Sequence, residues 1–320
     1  MDRSDVETRT RLPSDRNPAG AACISGMHRS GTSMVARLLH SCGVFLGPED
    51  ELSQGMPHNP EGNFENRAFV ELNESILAHF GGQWDDPPRF PKGWELTPEV
   101  GSFLQRAENL LGEFRRQHWG WKDPRNSLTL PFWQRLIPDL KVIACVRNPL
   151  EVARSLFVRG DVIEPAQFDL WMTYYDRLLS LTRPDQRLVT HYRSYFHDPH
   201  AELRRVLNWL GVEASDEVVE SACAHISAGL RHHYVGSAEL IEAQTPDEVL
   251  SLYFRLCAEA GPIYLQARKH EAPGEQCTAR ANEVSVLMKE LQQLRSSYNE
   301  ILNSKSFRFV SWRWRLRPRK

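Results

Sequence analysis

The run Ala21-Ala22-Cys23-Ile24-Ser25, followed at once by Gly26-Met27-His28-Arg29-Ser30-Gly31-Thr32-Ser33, decides how this chain is read. The first five residues are apolar and stop at a glycine, as a short buried strand does. Beyond the second segment Met34, Val35, Leu38, Leu39 and Cys42 recur at helical spacing until Gly43 ends them. Strand, glycine-bounded loop and helix, in that order, form the context of a phosphate-binding loop. The glycines let the backbone turn back so that successive N–H groups converge, and the positive end of the helix adds to the attraction for an anion. Gly26, His28, Arg29, Ser30, Gly31, Thr32 and Ser33 are therefore the expected anion-binding residues. The spacing is that of a Walker A loop, except that Thr32 stands where a nucleotide triphosphatase keeps its lysine. Arg29 supplies a planar cation inside the loop instead.

Outward from this loop, residues 44–66 are rich in Gly, Pro and Asn and read as a connection. An amphipathic helix follows with Phe69, Leu72, Ile76 and Phe80 on one face, and another carries Phe103, Ala107, Leu110, Leu111 and Phe114. Lys141–Val146 suits a buried parallel strand and Arg187–Tyr192 suits another, with helices around residues 150–158 and 168–181 between them. The alternation predicts an α/β fold: a P-loop-type open parallel sheet with helices on both faces and a ligand site at the carboxyl ends of its strands. The expected body spans residues 21–270. Residues 1–20 read as a disordered leader, and 271–320 as a linker, an amphipathic helix and a basic aromatic tail. In that helix Val284, Leu287, Leu291, Leu294, Tyr298 and Ile301 form a seam of under three heptads. It fits a short coiled coil joining two copies as well as a helix packed on the body.

Composition narrows the function classes. Hydrophobic residues make up 41% and charged residues 25% of the chain, a globular balance. No stretch reaches the roughly 18 apolar residues of a membrane span, and the leader carries no apolar signal run. The six cysteines form no Cys-x-x-Cys pair and read as small buried hydrophobes in a reducing compartment, so a cytoplasmic location is expected. Residues 304–320 hold seven of the 39 basic residues and no acid, so the remaining 32 basic residues face 41 acidic ones, a formal −9. That acidic body argues against nucleic acid as a partner, whose affinity comes mainly from neutralised phosphates. The tail interleaves Phe307, Phe309, Trp312 and Trp314 with its cations, a pattern suited to the surface of an anionic membrane or to the acidic body.

A second motif joins the first. Arg147 closes the strand Lys141–Val146 and Ser155 lies eight residues on, about two helical turns into the next helix. Arg29 to Ser33 and the Arg147/Ser155 pair together resemble the sulfotransferase family. There the first segment holds the 5′-phosphosulfate, and the arginine and serine hold the 3′-phosphate, of 3′-phosphoadenosine 5′-phosphosulfate (PAPS). Lys122-Asp123-Pro124 and Glu65 resemble the catalytic lysine and carboxylate of the tyrosylprotein branch of that family. Tyr192 resembles its adenosine-contacting tyrosine, although Arg193 replaces an acidic neighbour usual there. The resemblance covers residues 21–235 and implies a PAPS-dependent enzyme that sulfates a hydroxyl.

On this reading Arg29 and Lys122 neutralise charge on the leaving phosphate and Glu65 takes the acceptor's proton, with Asp123 and His58 as competitors for that role. No metal is expected, and the adjacent His232 and His233 diverge on any regular element. The rivals are a P-loop small-molecule kinase, disfavoured by Thr32, and a non-catalytic nucleotide-binding scaffold. The expected acceptor is a carbohydrate, a glycan or lipid-linked glycan, by analogy of the C-terminal helix and tail with polysaccharide-assembly enzymes. Trp84, Trp94, Trp119 and Trp121 are placed near the loops that would face it, though they also suit a core.

Overall fold

The computed structural model describes residues 20–53, 62–114, 118–156, 165–226 and 235–269. The described residues up to Val235 and from Thr245 onward belong to one compact unit, and the short helix α10 (Ser237–Glu242) belongs to another. The first unit is built on four parallel strands: β1 (Ala21–Ser25), β2 (Trp119–Lys122), β3 (Lys141–Val146) and β4 (Arg187–His191). They lie in the order β2-β1-β3-β4. Every strand residue except Lys141 is buried, as expected where both faces of a parallel sheet are covered.

On one face Ala22, Ile24, Ile143, Cys145 and Leu188 meet Val35, Leu38 and Leu39 of α1 (Thr32–Ser41). Helices α8 (Pro199–Leu210) and α9 (Asp216–Ala224) complete that layer through Leu203, Leu207 and Val219. The opposite layer holds α4 (Asn126–Leu136) against β1, α6 (Pro165–Leu181) against α4, and α11 (Asp247–Glu259) against β4. Between them in sequence lie α2 (Arg67–His79), α3 (Gly101–Glu113), α5 (Pro149–Leu156) and α7 (Ser194–His197), with α12 (Pro262–Lys269) closing the described chain. Helix starts follow their caps. Asn66 accepts the Ala68 N–H at 3.0 Å ahead of α2, and Asp198 accepts the Ala201 N–H at 3.0 Å ahead of α8, where Pro199 occupies the first turn.

One strand was not anticipated. The strand β2 has no counterpart among the expected elements, and its Trp119 and Trp121 are core residues, as is Trp94, the second of the two settings that these side chains suit. Trp121 stacks on Phe69 at 4.6 Å between ring centres and meets Trp133 at 4.9 Å, while its Nε1 donates to Asn126 Oδ1 at 3.0 Å. Only Trp84 of the four tryptophans reaches the loops above the sheet. The heptad seam, the basic tail, the leader up to Ala19, His58, His232 and His233 all lie outside the described residues.

Chain order fixes where a ligand sits. From β1 the chain pairs next on one side, with β2, and then crosses to the other, with β3. The carboxyl ends of β1 and β3 therefore flank a switch point, where open α/β sheets leave a crevice.

Candidate active site

Both motifs open from that crevice. Gly26 follows β1 at φ +131°, and a Cβ there would stand 2.3 Å from the Cys145 carbonyl oxygen, so only glycine lets the loop pass so close to β3. Arg29 holds the left-handed region at φ +66°, a strained conformation for a side chain of its size. Gly31 is also left-handed, caps α1 without a side-chain bond, and packs on the ring of Tyr192. The first-turn N–H groups of α1 thus face the loop without a capping oxygen, which is the arrangement of an anion cradle. The loop is braced from beneath: Ser127 Oγ accepts the Gly26 N–H at 3.2 Å and lies 2.8 Å from Ser25 Oγ. The Tyr175 hydroxyl donates to the Cys145 carbonyl at 2.6 Å and stands 2.9 Å from Ser30 Oγ.

On the β3 side the second motif closes around the first. Arg29 Nε donates to Ser155 Oγ at 2.9 Å, and Arg147 Nη1 donates to the Arg29 carbonyl at 3.2 Å. Arg147 Nε is held by Glu151 Oε2 at 2.7 Å, and the Val235 N–H donates to Glu151 Oε1 at 3.0 Å. The Arg147 guanidinium lies 4.4 Å over the Tyr192 ring. Burial, then the neighbouring Arg147 charge, pulls the Arg29 pKa down, the mark of two cations gathered where an anion would separate them. Arg29, Arg147, Ser155 and Tyr192 therefore share one cluster, although the two motifs lie more than a hundred residues apart.

On the β2 side Lys122 ends its strand almost fully buried, and its Nζ pairs with Glu65 Oε1 at 2.6 Å. Glu65 is itself fixed by its backbone carbonyl, which accepts the Ser53 N–H at 2.9 Å and the Ser53 hydroxyl at 3.0 Å. Asp123, the carboxylate that competes with Glu65, is spent on structure. Its Oδ2 accepts from Asn73 at 2.8 Å, and its Oδ1 accepts from the Arg125 N–H at 3.0 Å and Nη1 at 2.9 Å, in a fully buried setting. With three hydrogen bonds to these partners and no exposure to solvent, this carboxylate serves the fold.

The residues fit an anionic nucleotide donor with two separated charged ends. Glycine-bounded backbone, an uncapped helix start and Arg29 serve one end, Arg147 and Ser155 the other, and Lys122 stands beyond the first. The family model described as "Sulfotransferase family" matches residues 22–216, a segment that contains every one of these groups. The chain belongs to the sulfotransferase family. A protein of Caenorhabditis briggsae named "Putative protein-tyrosine sulfotransferase" is 27% identical over 128 residues, which are 37% of this chain and 42% of that protein. The match thus spans about two fifths of that relative. Among solved structures, sulfotransferase STF1 of Mycobacterium tuberculosis is 14% identical, covering 76% of this chain and 78% of its own, at a TM-score of 0.49. The sulfotransferase domain of the curacin biosynthetic pathway is 17% identical over 75% of this chain and 98% of its own, at a TM-score of 0.44.

Within this sulfotransferase, sequence reasoning did not see the bracing partners Tyr175 and Ser127, nor Glu151 on Arg147. Nothing in the spacing of Tyr175 and Ser127 reports them, since each reaches the site from a different helix. Glu151 alone carried a local signal, four residues after Arg147 at the start of a helix.

Proposed function

We propose that this chain transfers a sulfuryl group from PAPS to a hydroxyl group of an acceptor, leaving adenosine 3′,5′-bisphosphate. The observation that carries this reading is the joining of two anion subsites at one switch point, the loop Gly26–Ser33 and the Arg147/Ser155 pair, through the Arg29–Ser155 hydrogen bond. A nucleoside triphosphate needs the first and has no group for the second; a 3′-phosphorylated nucleotide needs both. Thr32 in place of a Walker lysine supports the same choice over a small-molecule kinase.

In an in-line transfer, charge grows on the oxygen that bridges the 5′-phosphate and the sulfuryl group. Lys122 is the cation suited to that point, since near-complete burial strengthens its field. Arg29, the other cation expected there, reaches Ser155 at the 3′-phosphate end, so this reading gives it a part in holding both ends of the donor. Glu65 keeps Lys122 oriented through their ion pair.

The acceptor is proposed to be a carbohydrate hydroxyl, with the half-exposed ring of Trp84 above the loop as a surface for a sugar. The tyrosine in the name of the Caenorhabditis briggsae relative makes a phenol the rival. A cytoplasmic location, peripheral membrane contact through the tail and pairing of copies through the C-terminal helix belong to the same proposal. Calorimetry with adenosine 3′,5′-bisphosphate against ATP tests the donor, and labelled PAPS offered with sugars, phenols and lipids tests the reaction. Tighter binding of ATP would sink the reading. Bisphosphate binding without turnover on any acceptor, water included, would leave a scaffold.

A further inference from the structure

The imidazole of His28 stands in the site and makes no hydrogen bond among the described residues. Its ring centre is 4.5 Å from that of Trp84 and 5.9 Å, edge to face, from that of Tyr174, whose hydroxyl donates to the Trp84 carbonyl at 2.8 Å. Its Nε2 is shielded from solvent and has no partner among the described residues. The ring as a whole is only half-buried, and Nδ1 is not among the shielded atoms. A shielded nitrogen against aromatic faces is best filled by the N–H, which those faces accept weakly. The lone pair then falls on Nδ1, at the open edge.

The charged groups facing this ring are Arg29 on its own loop, Lys122 from β2 and Arg125 from the turn before α4. Tyr174 faces it from α6, and Asp85, beside Trp84, bears on Tyr174. Lys122 is paired with Glu65, and Arg125 with Asp123 and Glu74. Burial first, then the three cations, holds the imidazole neutral well below its ordinary range. Of the nearby carboxylates, Glu65 is paired to Lys122 through Oε1, and Asp123 is bonded to Asn73 and Arg125 in a fully buried setting. His28 adds to Glu65 a second proton acceptor at the Lys122 end of the site, and the one with no hydrogen bond among the described residues.

We propose that His28 Nδ1 takes the proton of the acceptor hydroxyl, an assignment that rests on the sulfuryl-transfer reading above. The acceptor O–H bond breaks and its proton passes to Nδ1 while a lone pair on the acceptor oxygen forms the new O–S bond. The S–O bond to the bridging oxygen breaks, its electron pair leaving on the 5′-phosphate of adenosine 3′,5′-bisphosphate beside Lys122. The imidazolium returns its proton to water. An anionic donor near Arg29 and Lys122 offsets the charges that oppose protonation of His28, so the base strengthens when the donor is in place.

Two readouts on the full chain test this. The first is release of bisphosphate from PAPS, with water or a simple phenol as acceptor, in His28→Ala and His28→Phe. Turnover should fall roughly 10²–10⁴-fold in both, far more than bisphosphate affinity falls. Added imidazole should restore part of the loss in His28→Ala and none in His28→Phe, which keeps the ring stack but has no nitrogen. Near-native turnover in His28→Phe, or no rescue of His28→Ala, overturns the assignment. The second readout is the nitrogen-15 spectrum of the free protein, which should show the His28 proton on Nε2; a proton on Nδ1 overturns the assignment without reference to activity. Absence of turnover in the native chain would strike the underlying function instead, and the two failures are thereby distinguished.

Discussion

Arg147→Ala should separate the two roles that the structure gives this arginine. Its side chain is 9% exposed and that of Glu151 is 5% exposed, with 2.7 Å between Nε and Oε2. Removing one partner of so buried a pair leaves the carboxylate's charge uncompensated, at about 3–5 kcal/mol. At roughly 2–4 °C per kcal/mol for a domain of this size, the melting temperature should fall by about 6–20 °C. The donor loses charge-assisted bonds to its 3′-phosphate, about 1.5–3 kcal/mol, or roughly 10- to 150-fold in Kd. The companion variant Arg147→Ala/Glu151→Gln removes the stranded charge and should regain most of the melting temperature while the affinity stays weak. Calorimetry with adenosine 3′,5′-bisphosphate and with adenosine 5′-phosphate provides the contrast, since the second ligand should bind each variant within about threefold of native. If both ligands weaken alike, or if the double variant recovers bisphosphate affinity, Arg147 serves the fold and not the 3′-phosphate.

Four further outcomes are expected. Gly26→Ala, which sets a Cβ 2.3 Å from the Cys145 oxygen at φ +131°, should displace the loop and weaken bisphosphate binding by an order of magnitude or more, read by calorimetry. Glu65→Gln strands the buried Lys122 ammonium, so it should lower the melting temperature of the free protein by more than that of the bisphosphate complex, where an anion restores a partner. His28 titrates below its unfolded value of about 6.5 in the native state, so below that pH the unfolded chain binds a proton that the native chain refuses. Its contribution to stability is therefore present above about pH 6.5 and lost as pH falls, and His28→Phe should flatten the melting-temperature profile from about pH 6.5 down to 5. The intact chain should co-sediment with anionic vesicles at low salt, less so at high salt, and removal of residues 304–320 should abolish this; equal binding by the truncated chain would refute a membrane role for the tail.

What the sequence determined by itself was whatever depends on neighbours in the chain. The strand, loop and helix from Ala21 to Ser41 were legible because apolar spacing and two glycines are local signals. Lys141–Val146 with Arg147 at its end was legible for the same reason, as was the parallel α/β arrangement from the alternation of elements. The strand β2 was not. It has four residues, one of them glycine, and Gly120 pairs with β1 where a Cβ would lie 2.2 Å from the Ala22 oxygen. That demand comes from the partner strand and leaves no mark in the local pattern, so the strand was not legible even though a core position for Trp119 and Trp121 was one of the two readings open.

The division of labour among charged groups was likewise a tertiary matter. Spacing could nominate Lys122, Glu65 and Asp123 but could not say that the first two pair at 2.6 Å while Asp123 is consumed by Asn73 and Arg125. Nor could it say that Arg29 reaches Ser155, a residue 126 positions away. Whether a carboxylate or an imidazole is available to a proton depends on which partners have reached it first, and those partners arrive from different strands and helices only when the sheet is assembled.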